Sequence, residues 1–336
     1  MRIDIEGERR EMRAVWYEDG KVMMLDQKVL PHRVEVVRFQ DHHQVARSIK
    51  DMTVRGAPAI GVAAAYGMLL ACNDHQDLDD AAKELKGTRP TAFDLFFAVD
   101  HMLAKIRSGA DPVKAAEDYA NTIVDRCRRI GVHGEKLIKD GARIMTHCNA
   151  GALATVDHGT ALAPIREAWR NGKDIFVYVS ETRPRLQGMK LTAFELLNEG
   201  IPHAIIPDGS SGHFLREGVD IVIVGADRIA ANGDFANKIG TYEKAVLAKE
   251  LGVPFYTAAP LSTFDLSIKR GEDIPIEYRG EEEVLVVDGV RIAPHGCKAL
   301  NPGFDVTPHR YLSGIITEDG VLDPKDVSKS LKGVRL

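Results

Sequence analysis

The apolar positions of this chain change their period near residue 140. Before that point they recur at spacings of three and four, which predicts helices over 43–52, 58–72, 78–86, 90–107 and 112–130. Two of these open on proline after a polar residue, at Arg89-Pro90 and Asp111-Pro112, the pairing expected at a first helical turn. In the fourth, Phe93, Phe96, Phe97, Leu103 and Ile106 fall near one face and read as core. Ahead of the helices, Asp19-Gly20 stands between two apolar runs and predicts a hairpin within 12–28. After residue 141 the pattern becomes strand, polar loop, helix, repeated, with strands over 142–146, 175–180, 203–207, 220–224, 254–258 and 313–317. Such alternation predicts a parallel sheet covered on both faces. The fold class is therefore α/β, and the expected division is 1–130 and 131–336. The join has no Pro- or Ser-rich linker, so the two parts should pack firmly, with a cleft between them as the default site.

The run over 219–224 is almost wholly apolar and β-branched, and it delivers Asp227 to the carboxyl end of a sheet strand, where ligands of such folds sit. Asn237 and Lys238 follow, just ahead of a helical pattern over 241–251, and a helix start carrying an amide and a cation would grip an anion. The competing reading has Asp227 and Asp234 capping turns or pairing with Arg228 and Lys238.

Composition narrows the chemistry. The chain has 336 residues and a net charge of −5, with no long basic run, which argues against a nucleic-acid partner. Its longest apolar stretch, 57–72, is broken by Pro58, Gly61 and Gly67 and is too short for a membrane span; the N-terminus lacks the apolar segment of a signal peptide. Four scattered cysteines are too few for a disulfide framework and imply a reducing compartment, hence the cytoplasm.

Two further segments could act on a small molecule. Thr146-His147-Cys148-Asn149-Ala150-Gly151 is a strand end turning into a helix, which should put Cys148 near a helix N-terminus and lower its pKa; alternatively the thiol is a small buried hydrophobe. His147 should point to the opposite side and makes a poor base for it. Arg55-Gly56-Ala57-Pro58 sets an arginine and unobstructed amides at a helix start, suited to phosphate, or else is a helix turn with an incidental surface arginine. Arg89, and the loop Glu181-Thr-Arg183-Pro-Arg185-Leu-Gln187-Gly188, add basic and amide groups that suit a polyhydroxylated anion. The pairs His147/Cys148 and His295/Cys297 lack zinc-site spacing, and no Gly-x-Gly-x-x-Gly or Walker loop occurs, so neither metal nor nucleotide cofactor is expected.

Taken together, Val54-Arg55-Gly56-Ala57-Pro58, His147-Cys148-Asn149-Ala150-Gly151, Glu181-Thr-Arg183-Pro-Arg185-Leu-Gln187 and Gly225-Ala-Asp227-Arg-Ile resemble the S-methyl-5-thioribose-1-phosphate isomerase family. That family shares a superfamily with the regulatory subunits of translation initiation factor 2B. The resemblance runs from the N-terminal hairpin to Asn301-Pro-Gly-Phe-Asp-Val-Thr-Pro308. It implies a mainly helical N-terminal domain joined to a Rossmann-like C-terminal domain, a homodimer without cofactor, and a role in methionine salvage. It also implies Cys148 and Asp227 as the catalytic pair, with Arg55, Gly56, Ala57, Arg89, Gln187, Asn237 and Lys238 binding a sugar 1-phosphate. Asp208-Gly-Ser-Ser-Gly-His213 and Ile274-Pro-Ile-Glu277-Tyr-Arg279-Gly280 depart from the family pattern and bear on selectivity at C5. The alternatives are an isomerase of ribose 1,5-bisphosphate or 5-deoxyribose 1-phosphate, or a non-catalytic initiation-factor-like subunit. The implied reaction moves hydrogen from C2 to C1 of a ring-closed aldose phosphate. Asp227 would protonate the ring oxygen, and Cys148 would take the C2 proton or stabilise charge during a hydride shift.

Overall fold

The computed structural model describes residues 1–5, 7–89 and 93–331. The N-terminal part begins with two small antiparallel sheets. One is the hairpin β1 (Arg2–Ile5) and β2 (Glu8–Glu11), which the hydropathy pattern did not announce; the other joins β3 (Val15–Glu18), β4 (Lys21–Leu25) and β5 (Val36–Phe39). The β3–β4 turn is Asp19-Gly20, both at positive φ (49° and 77°), the geometry that matches the twist of a tight hairpin. Five helices follow: α1 (His42–Lys50), α2 (Ala57–Asn73), α3 (Leu78–Gly87), α4 (Phe93–Arg107) and α5 (Pro112–Glu135). The expected start of the fourth, at Pro90, lies outside the described residues. The Asp111 carboxylate caps α5 by accepting from Val113 N (2.9 Å), with Pro112 in the first turn. α2 is apolar all round, so it lies enclosed by its neighbours, and Pro58 through Ala71 are buried.

The second part is built on β6 (Arg143–His147), β7 (Phe176–Ser180), β8 (His203–Ile206), β9 (Ile221–Val224), β12 (Phe255–Ala258) and β17 (Gly314–Thr317), as the β-branched runs predict. Between them come α6 (Ala152–Thr155), α7 (Leu162–Arg170), α8 (Ala193–Glu199), α9 (Ser211–Arg216) and α10 (Thr241–Glu250). The spatial order is β18-β17-β12-β9-β6-β7-β8, parallel except for the edge strand β18 (Gly320–Leu322). Counting only the parallel strands, this is the doubly wound order of a Rossmann sheet, whose direction of winding reverses between β6 and β9. Along β9, Ile221 and Ile223 join the core under α5, α7 and α8, while Val222 and Val224 join the one under α9 and α10.

A four-stranded sheet that the pattern does not foretell lies beyond β9. It is made of β10 (Arg228–Ala230), β11 (Phe235–Lys238), β13 (Phe264–Asp265) and β16 (Phe304–Thr307), in the order β13-β10-β11-β16. The chain between β13 and β16 carries α11 (Glu282–Leu285) and the hairpin β14 (Val286–Val287) and β15 (Val290–Arg291). No described helix is long and apolar enough to cross a membrane.

Candidate active site

The reversal between β6 and β9 opens a crevice at their carboxyl ends, and the loop after each strand carries one of the reactive candidates: Cys148 after β6, Asp227 after β9. The loops close on each other at Gly225, where an added Cβ would lie 2.7 Å from the Ala150 Cβ. The start of α2 enters the same crevice from the N-terminal part. Gly56 caps it at φ 89°, so close to Ala154 that a Cβ would stand 2.5 Å away. The resulting cleft holds about 820 Å³ including its open mouth, a size suited to a small ligand. Arg55, Gly56, Ala57, Arg89, Cys148, Gln187, Asp227, Asn237 and Lys238, the residues singled out from sequence, all line it.

Cys148 has a left-handed backbone (φ 63°), which costs a non-glycine residue roughly 1–3 kcal/mol unless its surroundings fix it. Two threonines do so. The Cys148 N–H donates to Thr182 Oγ1 (2.8 Å), and Thr192 Oγ1 donates to the Cys148 carbonyl (2.7 Å). The expected helix-start activation of the thiol is not found. α6 is a single turn, and its first amides, Ala152 N and Leu153 N, donate to the Glu195 carboxylate (2.8 and 3.2 Å). Burial instead pushes the thiol pKa up, with Lys238 and Arg55 opposing. His147 is no base for it: its Nε2 lies 2.8 Å from the Ile239 carbonyl, and burial, aided by Lys244, drops its pKa to about 3.

Asp227 is fixed through its backbone N–H, which donates to the Ala236 carbonyl (2.9 Å). Burial raises the pKa of its carboxyl group, against Lys238, Arg89 and Arg55, so the acid form persists to higher pH than in water. The side chain keeps one face on the cleft.

Asn237 and Lys238 do not stand at a helix start, contrary to the sequence pattern. They end β11, paired with Asp305 and Phe304 of β16. The start of α10 already has its anion: Gly240 N and Tyr242 N donate to the Asp305 carboxylate (2.7 and 3.1 Å). Lys238 reaches the cleft from the strand, its ammonium on the Gly303 carbonyl (2.7 Å) and 4.5 Å from the Phe304 ring centre. Arg55 donates through both terminal nitrogens to Asn149, to the carbonyl (3.1 Å) and the side-chain oxygen. Among the described residues neither Arg55 nor Lys238 forms a salt bridge, so both cations remain available to an anionic ligand.

Asn149 is itself held by Glu195 (2.9 Å), which pairs with Arg166 (2.8 Å) where both side chains are fully enclosed. Asn149 stands in the Cys148 motif with no role given to it from sequence, and Glu195 and Arg166 are not singled out there; a charged pair on helices that otherwise read as core was the available signal. Replacing Glu195 by Gln leaves Arg166 only the more distant Glu199 carboxylate (3.7 Å) and weakens a buried ion pair, expected to cost roughly 3 kcal/mol. The Asn149 mount of Arg55 loosens as well. The expected result is a lowered unfolding midpoint, with KM raised about tenfold and kcat changed less; an unaltered KM in the folded variant would remove Asn149 from the positioning of Arg55.

Of the rim, the sequence reading names Arg89, Arg185, Glu277 and Arg279 but not Glu283 or the ion pairs that join them. Arg89 lies 3.6 Å from Glu277, Arg279 pairs with Glu283 (2.6 Å) and Glu277 (3.4 Å), and Arg185 pairs with Glu283 (3.0 Å). Burial works against the Glu283 charge, yet Arg279 and Arg185 hold its pKa down to about 2. Beside the cleft, and sharing Gly56, Ala57, Arg89, Asp227 and Phe304 with it, lies a side pocket whose wall joins the apolar Ile60, Ala236, Ile274, Pro275 and Ile276 to Arg228. Among the described residues no set of three metal-ligating side chains converges in the cleft.

Known proteins show the same organisation. The model of the initiation factor 2 subunit family matches residues 53–324. The chain is 48% identical over 328 residues to a methylthioribose-1-phosphate isomerase of Aquifex aeolicus, covering 97% of this chain and 72% of that one. It is 51% identical over 335 residues to one of Roseiflexus castenholzii, covering 93% and 95%. Among solved structures, the 5-methylthioribose 1-phosphate isomerase of Pyrococcus horikoshii superposes with a TM-score of 0.88 at 42% identity over 96% of this chain and 95% of that one. The delta subunit of translation initiation factor eIF-2B from A. fulgidus gives 0.85 at 40% identity, over 96% and 100%.

Proposed function

The chain belongs to the initiation factor 2 subunit family and is, like its methylthioribose-1-phosphate isomerase relatives, an isomerase; on that premise we propose that it converts 5-methylthioribose 1-phosphate to 5-methylthioribulose 1-phosphate. Asp227 gives its proton to the ring oxygen as the C1–O bond breaks, the step for which a buried acid with a raised pKa is suited. The hydrogen on C2 then passes to C1 beside Cys148, and the 2-hydroxyl becomes the ketone as its proton leaves. Arg55, the Gly56 and Ala57 amides and Lys238 hold the phosphate, while Gln187, Asn237 and Arg89 meet the sugar and its rim. The enzyme acts as a cytoplasmic homodimer in methionine salvage.

The observation that carries the choice of substrate is the division of the cleft. Among the described residues Arg55 and Lys238, beside Cys148 and Asp227, form no salt bridge, whereas at the rim Arg279 is paired with Glu277 and Glu283 and Arg185 with Glu283. The side pocket carries three isoleucines, and its two arginines, Arg89 and Arg228, lie beside carboxylates of their own, Glu277 and Asp265 (3.6 Å each). That distribution favours one phosphate and an apolar C5 substituent over two phosphates. A panel of methylthioribose, 5-deoxyribose and ribose 1-phosphates with ribose 1,5-bisphosphate tests it. kcat/KM should fall roughly tenfold or more from methylthio to 5-deoxy, the worth of the lost apolar contact; preference for the bisphosphate would overturn the reading. Turnover by the purified chain alone separates the enzyme from an assembly subunit of the kind named for the A. fulgidus relative.

A further inference from the structure

At the opposite end of α2 from the cleft, the His42 imidazole is only 4% exposed, yet among the described residues its Nδ1 has no hydrogen-bond partner. Nδ1 is enclosed without one, and Nε2 is aimed at Glu84 Oε2 from 3.6 Å, beyond hydrogen-bond reach. The same carboxylate oxygen stands 2.7 Å from His43 Nδ1. Consecutive side chains on a helix ordinarily diverge, but in the first turn of α1 these two rings converge, with centroids 3.9 Å apart. The three donor atoms lie within 4.8 Å of one another. Tetrahedral coordination with bonds near 2.1 Å spaces its donors roughly 3.4 Å apart, a value between the two distances to Glu84. Asp41, which caps α1, and Asp74, which follows α2, add negative charge facing His42.

We propose that His42 Nε2, His43 Nδ1 and Glu84 Oε2 form a site for a divalent transition-metal ion that ties α1 to α3. Two imidazole nitrogens and one carboxylate suit zinc, cobalt or nickel and not the oxygen-seeking magnesium or calcium. Burial, with the neighbouring His43, lowers the His42 pKa and keeps the ring in its neutral, ligating form. His43 and Glu84 are exposed, which leaves solvent access for the ion and a water ligand. The 17 residues of α2 set the site about 25 Å from the cleft, so its ion is structural and takes no part in turnover. Spacing along the chain could not reveal it, because the third ligand arrives from another helix.

The test is a titration of the tag-free full chain with Co²⁺ and Zn²⁺. Co²⁺ should give the visible bands of nitrogen and oxygen coordination with no thiolate charge-transfer absorption, and saturating Zn²⁺ should raise the unfolding midpoint by roughly 3 °C. Both effects should vanish in His43→Ala and in Glu84→Gln, changes at exposed positions expected to leave the metal-free midpoint and kcat as they are. Binding only at millimolar metal, binding that survives both substitutions, or a thiolate band would each overturn the proposal.

Discussion

Asp227→Asn should lower kcat roughly 10²–10⁴-fold, the range a positioned general acid contributes, while KM stays within a few-fold. Asparagine keeps the size of the side chain and a hydrogen-bond donor toward the ring oxygen but has no proton to give. Ring opening is the step that suffers, because the anomeric phosphate prevents the sugar from opening spontaneously. The pH profile supplies an independent reading. Burial raises the Asp227 pKa, so the required acid form is complete below that value and is lost as pH rises through it. kcat/KM of the parent should therefore fall on that limb, and the residual rate of Asp227→Asn should not show it. A variant that turns over at near-normal rate would remove Asp227 from the chemistry.

Cys148→Ser is expected to be as damaging, again roughly 10²–10⁴-fold in kcat with affinity kept. The two threonines that fix the Cys148 backbone are untouched, so geometry is preserved and only the sulfur is lost. A hydroxyl is a far weaker acid than a thiol, and Lys238 and Arg55, which favour the thiolate against the cost of burial, cannot ionise it. Turnover in D₂O identifies what the sulfur does: deuterium at C1 of the product marks proton removal from C2, and its absence marks a direct hydride shift. Near-parental activity in the serine variant would leave Cys148 as packing alone.

The parallel sheet was legible because its strands are short β-branched runs separated by helical patterns, and each run fell in the sheet. Cys148 and Asp227 could be paired from sequence for the same reason, since each follows a strand that a doubly wound sheet brings to the reversal. The misreadings share a cause. Asn237-Lys238 precedes a helical pattern, but Phe235–Lys238 is drawn into a sheet by β16, a partner far along the chain. The turn after Cys148 looks like a free helix start, yet Glu195 from α8 takes its amides. The apolar side pocket was invisible because Ile60, Ile274 and Phe304 meet only when three distant segments fold together. Local pattern carries period and turn chemistry; the partner that claims an amide or a strand edge is set by tertiary structure.

The winding reversal between β6 and β9 also governs when activity can appear during folding. β6 and β7 are successive strands, but α6, α7, β7, α8, β8 and α9 lie between β6 and its other neighbour, β9, in the chain. Closing so long a loop is a late and slow event compared with forming the local contacts of the N-terminal helices. A refolding chain can thus regain its helical signal while Cys148 and Asp227 are still apart. Recovery of turnover would then clock the docking of β9, which makes the enzyme its own reporter of when the central sheet is complete.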